Sequence, residues 1–208
     1  VGCALLLRLP RWWWLIHALF PLAVGLALIV DLPAAIYAGA LLISLLVFGV
    51  VARSRVPLWL SGERARQRLI EQLPTDRPLR AVDLGGGTGG LLLALWRSGR
   101  CARCAGVEWA PLPWLVGWLR LRLAGFPGRW RFGSLWSEPL ADLDLVYAFL
   151  SPAAMPALWE KARAEMAEGS WLVSYRFGIP GVPPTRRWPV GDSTEDALLL
   201  WVMPGPGT

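Results

Sequence analysis

The sequence predicts an α/β fold, a parallel sheet with helices on both faces, preceded by a hydrophobic helical hairpin. Three observations carry this reading. Two uncharged runs of about twenty residues stand near the N-terminus, a glycine turn (AVDLGGGTGG, residues 81–90) follows a short apolar strand, and the rest alternates strand-like and helix-like segments.

The first run is WWWLIHALFPLAVGLALIV, from Trp12 to Val30, and the second is LPAAIYAGALLISLLVFGVV, from Leu32 to Val51. About 20 residues at a 1.5 Å rise cover about 30 Å, the thickness of a bilayer's hydrocarbon core. Pro21 introduces a kink that lipid-embedded helices tolerate, and Pro33 sits at a helix start, where proline costs little. Only Asp31 separates the runs, so they form a tight antiparallel hairpin. Arg8 and Arg11 precede it and Arg53 and Arg55 follow it, which puts both ends on the cytoplasmic side. No small-residue cleavage site follows the first run, which argues against a removable signal peptide. Composition agrees with a lipid-embedded part: 55% of residues are hydrophobic, 17% charged, and tryptophan occurs fourteen times. The reading divides the chain into a transmembrane hairpin at 1–52, a juxtamembrane basic segment with an amphipathic helix at 53–74, and an α/β domain at 75–208.

Net charge is +6, with Lys161 the only lysine. Five arginines against Glu63 between Arg53 and Arg68 suit a segment lying on anionic headgroups. Nothing in the pattern calls for nucleic acid. Cys3, Cys101 and Cys104 are too few for a disulfide framework, and Cys101-Ala-Arg-Cys104 lacks the second pair or histidine that zinc needs. The single histidine, His17, lies in an apolar run, so a histidine triad and a histidine-based metal site are both excluded.

After Pro57, SGERARQRLIEQLP reads as an amphipathic helix with Ala65, Leu69, Ile70 and Leu73 as its buried stripe and Ser61 as its N-cap. A strand through LRAVDL leads into the glycine turn and a helix from about Gly90 to Trp96. Further strands are expected at Arg103–Trp109, Arg129–Phe132, Leu143–Leu150, Trp171–Phe177, Arg187–Val190 and Ala197–Met203. Helices are expected at Pro111–Ala124 and Met155–Met166.

The chemistry lies in the turn. Gly85, Gly87 and Gly89 fall two apart, with Asp83 two residues before the first. A dinucleotide fingerprint places glycines as G-x-G-x-x-G, with a pyrophosphate on the helix N-terminus. A carboxylate at Asp83 repels a pyrophosphate and suits a cation such as an ammonium or a sulfonium. Glu108, about 20 residues on at the end of the second strand, is placed to accept both ribose hydroxyls.

The successive segments AVDLGGGTGG, GVEWAP, FGSLW, LVYAFLSPAAMPALWEKARAEM and GSWLVSYRFGIPG resemble the motifs of class I S-adenosylmethionine-dependent methyltransferases, over roughly residues 55–203. They are most similar to the small membrane-anchored lysine methyltransferases of the ATP synthase c-subunit and the adenine nucleotide translocase. The resemblance implies a Rossmann-like, seven-stranded methyltransferase domain with S-adenosylmethionine as cofactor. It implies that Asp83, Gly85, Gly87 and Gly89 line the methionine and ribose, Glu108 binds the ribose, and Ser134 and Leu135 border the adenine. It implies that Tyr147, Phe149 and Ser151 flank the transferable methyl, with Tyr147 and Ser151 as catalytic candidates. Ser134 stands where many relatives carry an acid, and Thr88, Gly90 and Ala110 also depart from the common pattern.

The expected function is a membrane-anchored methyltransferase acting at the cytoplasmic face of the inner (plasma) membrane, on a lysine of a membrane protein, with no metal and no nucleic acid. Its partners are the lipid bilayer and that acceptor. A lipid or quinone acceptor, or a non-catalytic assembly factor that keeps the fold, are the alternatives. An NAD(P)-dependent oxidoreductase is a third, against which Asp83 argues.

Overall fold

The computed structural model describes residues 12–30, 32–54, 61–191, 193 and 196–204, with side chains at 12–17, 28 and 46–54 outside the description. The chain divides into two units, Val1–Leu45 and Leu46–Thr208.

In the first unit, helix α1 (Trp12–Val30) carries no charged residue and contains Pro21, and helix α2 begins at Ala34 and runs on to Ser54. The Tyr37 hydroxyl donates to the Ala27 carbonyl at 3.3 Å, tying the two helices. Leu19, Phe20, Leu22, Leu26 and Ile29 are all exposed. Among the described residues, no helix is long and apolar enough to cross a membrane. Helices thus occur at both apolar runs, the second over Ala34–Ser54 where Leu32–Val51 is expected, while the transmembrane hairpin stays an expectation. Arg8, Arg11, Asp31 and Arg55, on which the orientation rests, lie outside the described residues.

The second unit contains α3 (Glu63–Gln72), β1 (Leu79–Leu84), α4 (Gly90–Arg97), β2 (Cys101–Glu108), α5 (Pro111–Leu123), β3 (Arg129–Phe132), β4 (Leu145–Ala148), α6 (Met155–Glu165), β5 (Trp171–Tyr175), β6 (Arg186–Pro189) and β7 (Ala197–Val202). One seven-stranded sheet has the order β3-β2-β1-β4-β5-β7-β6. Strands β1 to β5 pair in parallel, but β7 runs antiparallel to both β5 and β6. The sheet is mixed, which corrects the all-parallel expectation. The link from β6 to β7 is too short for a crossover, so β7 can only return antiparallel beside β6.

Burial follows the period of two that a sheet covered on both faces demands. Along β4, Leu145 and Tyr147 join Leu69 and Leu92 in the core under α3 and α4, while Val146 and Ala148 join Met155 and Leu158 in the core under α6. In α3, Ala65 and Leu69 are buried and Ile70 is half-buried, and Leu73, just past the helix end, is buried as well. Helix α3 has Gly62 as its N-cap, with no side-chain capping bond, which corrects the capping role expected of Ser61. The Ser61 hydroxyl instead meets a buried tyrosine of β4. Cys101 and Cys104 are paired with each other at the start of β2. No cluster able to hold a metal ion occurs among the described residues.

Candidate active site

The sheet reverses its strand order between β1 and β4, and the crevice outside the carboxyl ends of such strands is where ligands of open α/β sheets bind. The predicted residues gather there. Asp83 sits across from Gly106 of β2 on one side and Tyr147 of β4 on the other. Glu108 ends β2, opposite Phe132 of β3.

Between β1 and α4 the chain turns on Gly85, Gly87 and Gly89, with φ of +74°, +57° and +71°, a conformation L side chains resist. The turn is held from behind by Glu108. Its carboxylate accepts the Gly87 amide at 2.8 Å on one oxygen and the Ala110 amide at 2.7 Å on the other. Burial raises the Glu108 pKa, and these amides oppose the rise.

A cleft of about 200 Å³ opens in front of the turn, lined among others by Ser61, Arg66, Asp83, Arg120 and Phe149. Asp83 is 4% exposed, and no group among the described residues hydrogen-bonds its carboxylate. Burial first, then the charge of Glu108, push its pKa up to about 7 against the pull of Arg66. An unpaired buried carboxylate is costly, and a cationic donor placed there relieves the cost. Arg66, from α3, donates to the Ser61 carbonyl at 3.1 Å, and Arg120 comes from α5. Neither forms an ion pair with a carboxylate among the described residues. Both guanidinium groups reach the surface of Gly90: a Cβ there would lie 2.5 Å from Arg66 Nη1 and 3.5 Å from Arg120 Nη1. The cleft thus offers one anionic and two cationic groups around a bare backbone.

Phe149 forms one wall. Its ring lies 4.7 Å from that of Tyr175 and 5.9 Å from that of Phe177. The Tyr175 hydroxyl donates to Asp196 at 2.6 Å, and Asp196 also binds Arg176, the one non-glycine residue with positive φ among those described. Tyr147 is 2% exposed, with its hydroxyl 2.6 Å from that of Ser61. Burial raises the Tyr147 pKa well above its ordinary value, so the phenol stays protonated. Ser151, just beyond β4, is buried, and its hydroxyl has no hydrogen-bond partner among the described residues.

Of the residues expected from sequence, Asp83, Gly85 and Phe149 line the cleft itself. Gly87, Gly89 and Glu108 shape it from behind. Tyr147 reaches it through Ser61, and Ser151 stands at the same strand end. Ser134 and Leu135 lie on a short 3₁₀ turn after β3, where the Ser134 hydroxyl accepts the Trp136 amide at 3.3 Å. The sequence reading missed Arg66 and Arg120. Their signal is positional: Arg66 stands one turn before the buried Leu69, and Arg120 one turn after the buried Gly117.

A second hollow of about 300 Å³ lies at the opposite end of the sheet, beside Arg77, Arg80 and Asp144. Asp144 accepts the Arg80 amide at 2.8 Å and pairs with both guanidinium groups. Burial raises its pKa, but the hydrogen bonds from Arg80 and Arg77 outweigh burial and hold it below the usual carboxylate range. These groups satisfy one another at the amino ends of the strands, so this hollow is structural despite its size.

The fold is that of a methyltransferase. It is similar to an RNA methyltransferase from Salinibacter ruber solved with S-adenosyl-L-homocysteine, at 22% identity and a TM-score of 0.63, covering 70% of this chain and 94% of that one. It is also similar to the tRNA methyltransferase TrmK of B. subtilis, at 13% identity and a TM-score of 0.57, covering 71% and 68%. The family follows from the sequence: residues 83–186 match the ANTKMT methyltransferase domain, and the chain belongs to that family. It is 34% identical over 156 residues to the adenine nucleotide translocase lysine N-methyltransferase of Mus musculus, covering 68% of this chain and 63% of that protein. It is 31% identical over 125 residues to the ATP synthase c-subunit lysine N-methyltransferase of Mus musculus, covering 58% and 47%. The chain therefore spans less than two thirds of the length of either relative.

Proposed function

We propose that this protein is an S-adenosylmethionine-dependent methyltransferase that N-methylates a lysine of a membrane protein. The observation that carries the cofactor assignment is Asp83: a buried carboxylate with no hydrogen bond among the described residues, facing a cleft that also holds two arginines. Asp83 takes the ammonium of the amino-acid end, and Arg66 and Arg120 take its carboxylate. Glu108 accepts from the ribose hydroxyls with the capacity its amide contacts leave, while those contacts hold the turn. The 3₁₀ turn at Ser134 and Leu135 borders the adenine. A bound cofactor supplies an already activated methyl group, so the protein's task is to hold the nucleophile in line with it.

Phe149, with Tyr175 and Phe177 behind it, excludes water from the transfer direction and confines an alkyl amine. The buried Ser151 hydroxyl, without a hydrogen-bond partner among the described residues, is the candidate hydrogen-bond acceptor for the incoming amine once the methyl acceptor enters, and Tyr147 fixes Ser61 at the cleft mouth. The acceptor class rests on the two murine relatives, whose names give lysines of the adenine nucleotide translocase and of the ATP synthase c-subunit as targets. The uncharged helix α1 and the apolar stretch of α2 support attachment to the bilayer, and the arginines flanking the two runs favour the cytoplasmic face of the plasma membrane for the α/β domain.

Two measurements test this. Calorimetric titration with S-adenosylmethionine and S-adenosylhomocysteine is expected to show saturable binding of both, and no binding overturns the cofactor assignment. Labelled cofactor incubated with membranes from a deletion strain is expected to mark a protein band whose lysine carries the label. Label in the lipid extract alone would move the acceptor to a lipid or quinone.

A further inference from the structure

Helix α5 is apolar almost all round, yet it buries only one narrow stripe. Pro113, Gly117 and Leu121, four residues apart, face the sheet. Gly117 lets the helix sit directly on Trp130, whose ring atoms would lie 2.7 Å from a Cβ there. The Trp130 indole donates to the Trp114 carbonyl at 2.9 Å and locks this placement. The outer side is left uncovered: Leu115 is 51% exposed, Leu119 50% and Leu123 79%, with Leu112, Val116 and Trp118 also exposed. The patch continues past the helix. Exposed Trp109 stacks on exposed Phe132 at 6.0 Å, and Trp114 meets the same ring edge-on at 5.5 Å. A contiguous apolar face of this kind marks an interaction site.

Charge selects the occupant. From Trp109 to Ser137 the sequence holds no aspartate or glutamate, but four arginines. Arg131 pairs with Glu138 at 2.9 Å and Arg120 lines the cleft, whereas Arg122 and Arg129 are exposed and form no ion pair among the described residues. Leucines and tryptophans flanked by unneutralised arginines are the composition of a surface that beds into the headgroup layer of an anionic bilayer. We propose that the α5 face docks on an anionic lipid surface. This is a contact of the α/β domain itself, additional to any membrane attachment through α1 and α2, and it does not depend on which cofactor the cleft binds.

The test uses the full chain in nanodiscs of phosphatidylcholine, with or without phosphatidylglycerol, without cofactor. The photocrosslinker p-benzoylphenylalanine replaces Leu119, or, as a control on an exposed site of α6, Glu160. Both positions are exposed, so neither substitution empties the core. The expected result is a lipid adduct at position 119, several-fold stronger with phosphatidylglycerol, and little at position 160. Combined Arg122→Ser and Arg129→Ser should reduce the adduct on anionic discs to its level on neutral ones. An adduct of position 119 to residues of α1 or α2, an adduct to a second copy, or no adduct at all would each overturn the proposal. Equal lipid adducts at positions 119 and 160, or on the two kinds of disc, would overturn it as well.

Discussion

Glu108 accepts the Gly87 amide at 2.8 Å, so the acid that ends β2 also holds the glycine turn in its left-handed shape. If Glu108 also binds the ribose as proposed, one residue couples cofactor recognition to loop geometry. Glu108→Ala should abolish measurable S-adenosylhomocysteine binding in calorimetry, because both functions go at once. Glu108→Gln keeps one acceptor oxygen and should bind more weakly than the wild type but detectably. Gly87→Val should also lose binding, since a β-branched residue resists φ of +57° at that point. Wild-type affinity in either of the two disruptive variants would sink this account of the turn.

Cofactor affinity should rise with pH through the neutral range. The folded pKa of Asp83 is about 7, against an ordinary value of 3.8. Since the folded value is the higher one, ionising Asp83 disfavours the ligand-free fold. The cost is absent below about pH 4, grows as pH rises and is complete above about 7. Glu108 is raised as well, so the profile belongs to the pair. A bound cation repays the ionised Asp83, and affinity increases over the same range. Asp83→Asn should flatten the binding profile and lessen the loss of ligand-free thermal stability between about pH 4 and 7. An unchanged pH slope in that variant would remove Asp83 from the site.

Arg66 and Arg120 should matter only for ligands that carry a carboxylate. Each single change to alanine is expected to weaken S-adenosylhomocysteine roughly tenfold, as losing a hydrogen bond to a charged group costs about 1.5 kcal/mol. Binding of 5′-methylthioadenosine, which lacks the amino-acid end, should stay at the wild-type level. Equal losses for both ligands would indicate a collapsed cleft and not a carboxylate contact.

The Tyr147 hydroxyl meets that of Ser61 at 2.6 Å and stays protonated, so its part is positional. Tyr147→Phe should lower stability by about 1 kcal/mol. The same change should reduce the methylation rate modestly, with the pH profile unshifted. A new ionisation in that profile would give the phenol a direct part in proton transfer.

Removing residues 1–52 should free the chain from the detergent-requiring fraction while leaving cofactor binding intact, because the sheet and both of its cores lie beyond residue 60. Turnover on a membrane-embedded acceptor should fall, since anchoring supplies effective concentration and not chemistry. A reporter after Thr208 is expected to be active in the cytoplasm, and a cysteine at position 31 to react with an impermeant reagent from outside. An external reporter signal would reverse the orientation.

The sequence by itself determined the order of elements, the glycine turn with its preceding acid, and the acid at the end of β2. These are local features: alternating burial writes strands, the 3.6-residue period writes helices, and left-handed backbone asks for glycine. Tertiary structure decided the rest. That β7 returns antiparallel beside β5 depends on strand neighbours that no local pattern encodes. Ser61 reads as a helix cap until β4, some 86 residues away, brings Tyr147 to its hydroxyl. Arg66 reads as one charge of a basic segment on anionic headgroups, and Arg120 as a residue of a helix with no assigned role, until α3 and α5 converge over Gly90. The uncovered face of α5 is hidden for a like reason. An apolar helix looks the same in sequence whether a core or a membrane receives it, and only packing shows which side is left bare.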